Sequence, residues 1–344
     1  MEMWNRVLLF CILLLLFSCN DNSNDRDLSF KVEVMNKITP VKDQGNSSLC
    51  WAYAMLATIE SECLQRGDSV NLSVDFVARH ELARQAEHAY FSARRADSVS
   101  LRGVAPHLLT LLNTCGTVGY DNYHASCNYK ALDRKVNHTV SDAARRRQGI
   151  NTLRKRLDAL LDEAIRPLPQ YMWLYGMQYT PQQFARSVCR EGEYTTLVSY
   201  AHYPYFTEVP LDVPDNRWQY TAYNLPIDSL MRRMERTLRS GHCICWEGDI
   251  TEPLFSFSDG LALLDGQHPD LSPNARQRDI ENFRTTDDHC MALVGIARDD
   301  RGRRYFICKN SWGTDNLYGG LMYMSFDYAR MKTLAVVLPN LRFH

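Results

Sequence analysis

The chain has 344 residues, 45% apolar and 23% charged, enough for one large globular domain or two closely packed lobes and unlike the composition of a disordered chain. Thirty-nine Lys and Arg offset forty Asp and Glu to a net charge of −1, so bulk charge gives no reason to expect nucleic acid or an acidic bilayer as partner. Eleven Cys are too sparse for a disulfide scaffold, and no pair of CxxC motifs stands at zinc spacing.

The N-terminus reads as an address. Arg6 precedes an unbroken apolar run, Val7 to Phe17, closed by Ser18-Cys19, which is the layout of a secretory signal. As a helix that run covers about 16 Å, half of a ~30 Å hydrocarbon core, too little to span a bilayer. Leu16-Phe17-Ser18-Cys19 resembles the lipobox of bacterial lipoproteins. The resemblance implies a signal peptide over 1–19, lipidation of Cys19, export to the bacterial cell envelope, and a lipid anchor on the periplasmic or cell-surface side. Residues 20–29 are polar and suit a tether, with the folded domain expected over 30–344.

Helices are predicted at Cys50–Leu64, at Val74–Ala93 after Ser73, at Pro106–Leu112, at Ser141–Ile165, and at Pro181–Cys189 after a Thr180 cap. Strands follow at Thr195–Tyr200, Cys243–Gly248, Met291–Ala297, Tyr305–Lys309, Leu321–Ser325 and Leu334–Leu338, with Asp300-Arg301-Gly302 as a tight turn. A helical lobe over about 50–190, a β lobe over about 194–338 and a tail over 339–344 make an α+β architecture with a cleft between lobes.

The chemistry is concentrated in three segments. In Gln44-Gly45-Asn46-Ser47-Ser48-Leu49-Cys50-Trp51-Ala52, a loop feeds Cys50 into an Ala-rich helix, whose positive N-terminus favours a thiolate. Gln44 on the incoming loop is placed to donate its amide N–H, beside the Cys50 backbone N–H, to the oxygen of a tetrahedral intermediate. Of ten histidines, His289 in Asp287-Asp288-His289-Cys290 stands at the mouth of an apolar strand and is the candidate base. Asn310 in Asn310-Ser311-Trp312-Gly313 follows the next strand, where it can hold the imidazole while Trp312 shields that hydrogen bond.

These motifs resemble those of papain-like cysteine peptidases, and more narrowly the bleomycin hydrolase and aminopeptidase C branch. The resemblance also takes in Ser199-Tyr200-Ala201-His202-Tyr203-Pro204-Tyr205, Val213-Pro214-Asp215-Asn216 and Cys245-Trp246-Glu247-Gly248-Asp249, and covers most of residues 36–338, most weakly at 80–170. It implies a papain-like fold of a helical lobe and an antiparallel, barrel-like β lobe, with Gln44, Cys50, His289 and Asn310 as oxyanion donor, nucleophile, base and orienting amide. It also implies peptides as substrates, substrate contacts at Trp51, Tyr205, Asp288 and Trp312, and no metal or organic cofactor. Ser47 stands where secreted papain relatives often carry a Cys, which favours the aminopeptidase C side. The branch's hexameric assembly makes a homo-oligomer the implied state, although the helical region here is shorter. In that branch the C-terminus enters the cleft, so the His344 carboxylate would meet a substrate's α-ammonium.

Other readings remain open at this stage: an endopeptidase or dipeptidyl peptidase, a non-catalytic peptide-binding lipoprotein, and, more distantly, a transglutaminase-like acyl transferase. Cys63, Cys115, Cys127, Cys189, Cys243, Cys245, Cys290 and Cys308 read as small buried apolar residues. Arg145-Arg146-Arg147 with Arg154-Lys155-Arg156 reads as a solvated helix face rather than a nucleic-acid patch. The series Tyr171, Trp173, Tyr175 and Tyr179 reads as core or lobe interface.

Overall fold

The computed structural model describes residues 28–92, 98–266 and 270–340. The signal segment, Cys19, most of the tether and His344 lie outside the described residues. The first part of the chain forms β1 (Phe30–Met35), α1 (Cys50–Gln65), α2 (Val74–Phe91), α3 (Ala105–Cys115), α4 (Tyr129–Arg145), α5 (Ile150–Ala164), a small hairpin of β2 (Met172–Leu174) and β3 (Met177–Tyr179), and α6 (Pro181–Val188). The second forms β4 (Tyr194–Val198), β5 (Glu208–Pro210), β6 (Thr221–Asn224), α7 (Ile227–Arg239), β7 (Ile244–Gly248), β8 (Phe255–Ser256) and β9 (Leu261–Ala262). It continues through α8 (Pro273–Glu281), β10 (His289–Asp299), β11 (Arg304–Lys309), β12 (Leu321–Ser325) and α9 (Phe326–Lys332) to β13 (Thr333–Pro339).

The helix starts follow their caps. Ser73 Oγ accepts from Phe76 N at the head of α2, and Thr180 and Gln183 form a reciprocal capping box at α6. The predicted helix Ser141–Ile165 is two helices. Its apolar spacing runs on from Leu132, Val136 and Val140 of α4, but Arg147 adopts φ 52° and Gly149 restarts the chain as the N-cap of α5. The basic run is neutralised locally: Arg145, Arg146 and Arg156 converge on Asp142 at 2.9, 2.9 and 3.2 Å, and Arg154 pairs with Glu87. The aromatic series at 171–179 differs from expectation, since Tyr171, Trp173 and Tyr175 are exposed rather than packed in the core.

Among the described residues, eleven strands form one sheet, ordered β5-β6-β4-β13-β7-β10-β11-β12-β9-β8 with β1 added on β10. The pairs are antiparallel except β4–β6 and β12–β9, so the β lobe is mixed rather than wholly antiparallel. The described residues of the strand half also hold three helices unforeseen in the sequence, α7, α8 and α9. In α7, Ile227, Leu230, Met231, Met234 and Leu238 recur at helical spacing and are buried in the cluster formed with β7 and β10.

Helix α1 joins the halves. Trp51, Ala52, Met55, Leu56 and Ile59 are fully buried, so it is covered all round, by helices on one side and by β10 and β7 on the other. Its buried charges are paired: Glu60 takes Lys42 Nζ at 2.7 Å and Leu72 N at 2.6 Å, and Glu62 takes His242 Nδ1 at 2.8 Å. Register then sets the far side. His289 opens β10 opposite Gly248, and Ala292 pairs with Lys309, so Asn310 leaves β11 beside His289.

Strand β1 crosses β10 so closely that a Cβ on Gly295 would lie 2.3 Å from Val34 O. Gly295→Ala is therefore expected to force the strands apart and destabilise the fold by about 1–3 kcal/mol. Equilibrium denaturation checks this, and an unchanged midpoint would contradict it.

Candidate active site

Cys50 is the first residue of α1. Its N-cap, Leu49, offers no side chain to the first-turn N–H groups and no acid occupies that turn, so the helix's positive end is uncapped where Cys50 meets the cleft. Cys50 lines one space with Cys290 and His289. The Cys290 hydrogen bond, followed by the hydrogen bond and charge of His289, holds the Cys50 thiol well below the usual thiol range despite its burial. Cys290 moves the opposite way, driven first by that shared hydrogen bond and then by burial. The pair is thus biased toward a thiolate at Cys50 beside a neutral thiol at Cys290.

The imidazole is fixed from behind. His289 Nε2–H donates to Asn310 Oδ1 at 2.8 Å, which leaves Nδ1 for Cys50. Asn310 is itself oriented: its Oδ1 also accepts from Ser311 N at 2.8 Å, and its Nδ2 meets Met322 Sδ at 3.4 Å. The Trp312 ring lies 4.7 Å from the His289 ring, with Phe257 edge-on at 5.4 Å. This aromatic cover excludes water from the His289–Asn310 hydrogen bond.

Gln44 sits where the two halves zip together. Its backbone N–H donates to Ser311 O at 2.8 Å, its Oε1 accepts from Ser311 Oγ at 2.7 Å, and one Nε2–H goes to Ser47 O at 2.9 Å. A second Nε2–H remains for an oxygen in the cleft. Behind it, Glu60 on α1 binds both Lys42 and Thr39, and Lys309 Nζ donates to Thr39 Oγ1 at 2.9 Å, so the strand preceding Asn310 is tied to the helix bearing Cys50. Buried Asp249 accepts from Thr286 N at 3.0 Å and braces the segment leading into His289.

No protein-family model matches the sequence, and no curated protein does. Solved structures do. The crystal structure of PepW from Lactobacillus rhamnosis HN001 superposes with a TM-score of 0.74 at 15% identity, over 90% of this chain and 82% of that one. Procathepsin L 3 of the Tenebrio molitor larval midgut gives 0.45 at 17% identity over 89% and 68%, and the bromelain protease of Ananas comosus 0.41 at 15% over 88% and 94%. The fold is papain-like.

Within this papain-like cleft, Gln44, Cys50, Trp51, Asp288, His289 and Trp312 line one space, and Asn310 stands directly behind His289. Trp51 is fully buried, its Nε1–H bound to Leu101 O at 2.8 Å, and Asp288 accepts from Thr286 Oγ1 at 2.9 Å. Tyr205 is not in that lining and stands instead near buried Arg276. Sequence reasoning missed Cys290, Arg102, Asp215, Asp287 and Glu247. Two of them carried a signal: Cys290 adjoins the candidate base His289, and Glu247 is a lone acid in the strand Ile244–Gly248, which is buried throughout.

If the Cys290 S–H stabilises the thiolate, Cys290→Ala raises the apparent pKa of Cys50 alkylation. Iodoacetamide rates against pH, with the modified residue located by mass spectrometry, should show the midpoint moving upward. An unmoved profile would remove Cys290 from the site.

Proposed function

We propose that this chain is an exported thiol peptidase, lipid-anchored through Cys19, that hydrolyses peptide bonds through an acyl-enzyme on Cys50. The observation carrying this reading is the relay in which Asn310 fixes one nitrogen of His289 while the other faces Cys50. The thiolate attacks the carbonyl carbon, and the tetrahedral oxygen is received by Gln44 Nε2–H and the Cys50 N–H. Imidazolium His289 protonates the leaving amine, and neutral His289 then activates the water that frees Cys50.

The finer reading is an aminopeptidase, supported by the resemblance of the motifs to the aminopeptidase C branch. An endopeptidase or dipeptidyl peptidase uses the same catalytic centre, so the two readings differ in what the cleft admits and not in the chemistry on Cys50.

Cys50→Ala should abolish hydrolysis of peptidyl reporter amides with the fold intact by circular dichroism, and Gln44→Ala should lower kcat by about 10²–10³. Wild-type rates in Cys50→Ala protein would refute the mechanism. An aminopeptidase cleaves free-amino reporters and spares their N-acetyl forms; equal cleavage of both selects the endopeptidase reading.

A further inference from the structure

Beside Cys50 the cleft contains carboxyl groups that the peptidase chemistry does not use. Asp215 and Asp287 line it, and Glu247 pairs in register with Cys290, itself part of the lining. Glu247 is 1% exposed; its oxygens have no partner at full hydrogen-bond geometry, the backbone N–H of Ala105 at the head of α3 being the donor that stands near, and buried Oδ2 of Asp287 has none. Strand alternation puts Glu247 on the same face of β7 as Cys245, which packs in the cluster built on α1, the helix of Cys50. Apart from His289, Arg102 is the only cationic residue among the described residues of the lining. It is already engaged, with Nε on Asp215 at 2.8 and 3.1 Å and Nη2 on the Asp287 backbone oxygen at 2.9 Å.

Buried carboxyl oxygens without donors are costly, and a bound ligand that supplies the missing partner is one arrangement that offsets the cost. Burial, followed for Asp287 by repulsion from Asp215, pushes Asp287 up to about 7 and Glu247 well above the carboxylate range. A bound cation relieves both effects, so its arrival favours ionisation and releases protons. A guanidinium brings five N–H donors and an ammonium three.

We propose that Glu247, Asp287 and Asp215 form a recess that binds an organic cation of the peptide substrate, either an Arg or Lys side chain or a free α-ammonium, close to the scissile bond. The inference rests on the peptidase reading of the cleft and names the substrates it selects.

The test measures binding without turnover. Full-length Cys50→Ala protein is titrated calorimetrically with Arg-Arg-Gly-amide, its citrulline counterpart Cit-Cit-Gly-amide, and the N-acetyl form of each. The proposal expects the cationic peptide to bind about tenfold or more tightly, with protons released, and the advantage to shrink in Cys50→Ala/Glu247→Gln and Cys50→Ala/Asp287→Asn proteins. Loss on replacing Arg by citrulline assigns the side chain as the cation; loss on acetylation assigns the α-ammonium. Equal affinity for all four peptides, or an advantage that survives both carboxamide variants, overturns the recess. Failure of wild-type protein to hydrolyse any reporter would count against the peptidase reading and leave this comparison valid.

Discussion

The structure depends on one packing constraint, the burial of α1 between the helical layer and strands β7 and β10. A helix covered on all sides cannot slide or turn without exposing apolar surface, so its first residue, Cys50, is held against the first residue of β10, His289. The buried ties of Glu60 to Lys42 and Thr39, and of Thr39 to Lys309, pin the same helix to the strand that delivers Asn310. Thus Cys50, His289 and Asn310, to which the proposed mechanism gives the roles of nucleophile, base and orienting amide, come from three segments, and one set of contacts fixes their separation. Preorganisation of this kind is what an acyl-transfer site requires.

The electrostatics of the cleft are in tension. A thiolate at Cys50 is favoured by the Cys290 S–H, His289 and the uncapped helix end, yet Asp215, Asp287 and Glu247 place negative potential close by. Burial eases the conflict by holding Asp287 and Glu247 toward their neutral forms near neutral pH. As pH rises through about 7, Asp287 gains charge and its repulsion of the thiolate grows. Arg102, bridging Asp215 and the Asp287 backbone, moderates that repulsion and joins the helical side of the cleft to the segment that carries His289.

Much of this was legible in the sequence, because the relevant signals are local. A thiol at a loop-to-helix junction, an imidazole at a strand mouth and an Asn-Ser-Trp-Gly segment after the next strand each announce their chemistry over a few residues. The Thr180 and Ser73 caps were readable for the same reason. The remainder depends on pairings that sequence spacing does not reveal. Cys290 becomes part of the site only because α1 docks on β10, and Glu247 only because the β7–β10 register sets it opposite Cys290. The break at Arg147 was hidden because the apolar spacing continues across it, and α7 because its stripe is short and surrounded by arginines.

The central claim is that the Cys50 sulfur and the His289 imidazole act together to form a thioester, and trapping that thioester tests it most directly. Full-length protein mixed with an N-blocked aminoacyl nitrophenyl ester and quenched in acid within milliseconds should carry the acyl mass on the peptide containing Cys50. Substituting His289 by Ala should remove it. An acyl group found on another residue, or equal acylation of Cys50 without His289, would contradict the pairing on which the mechanism stands.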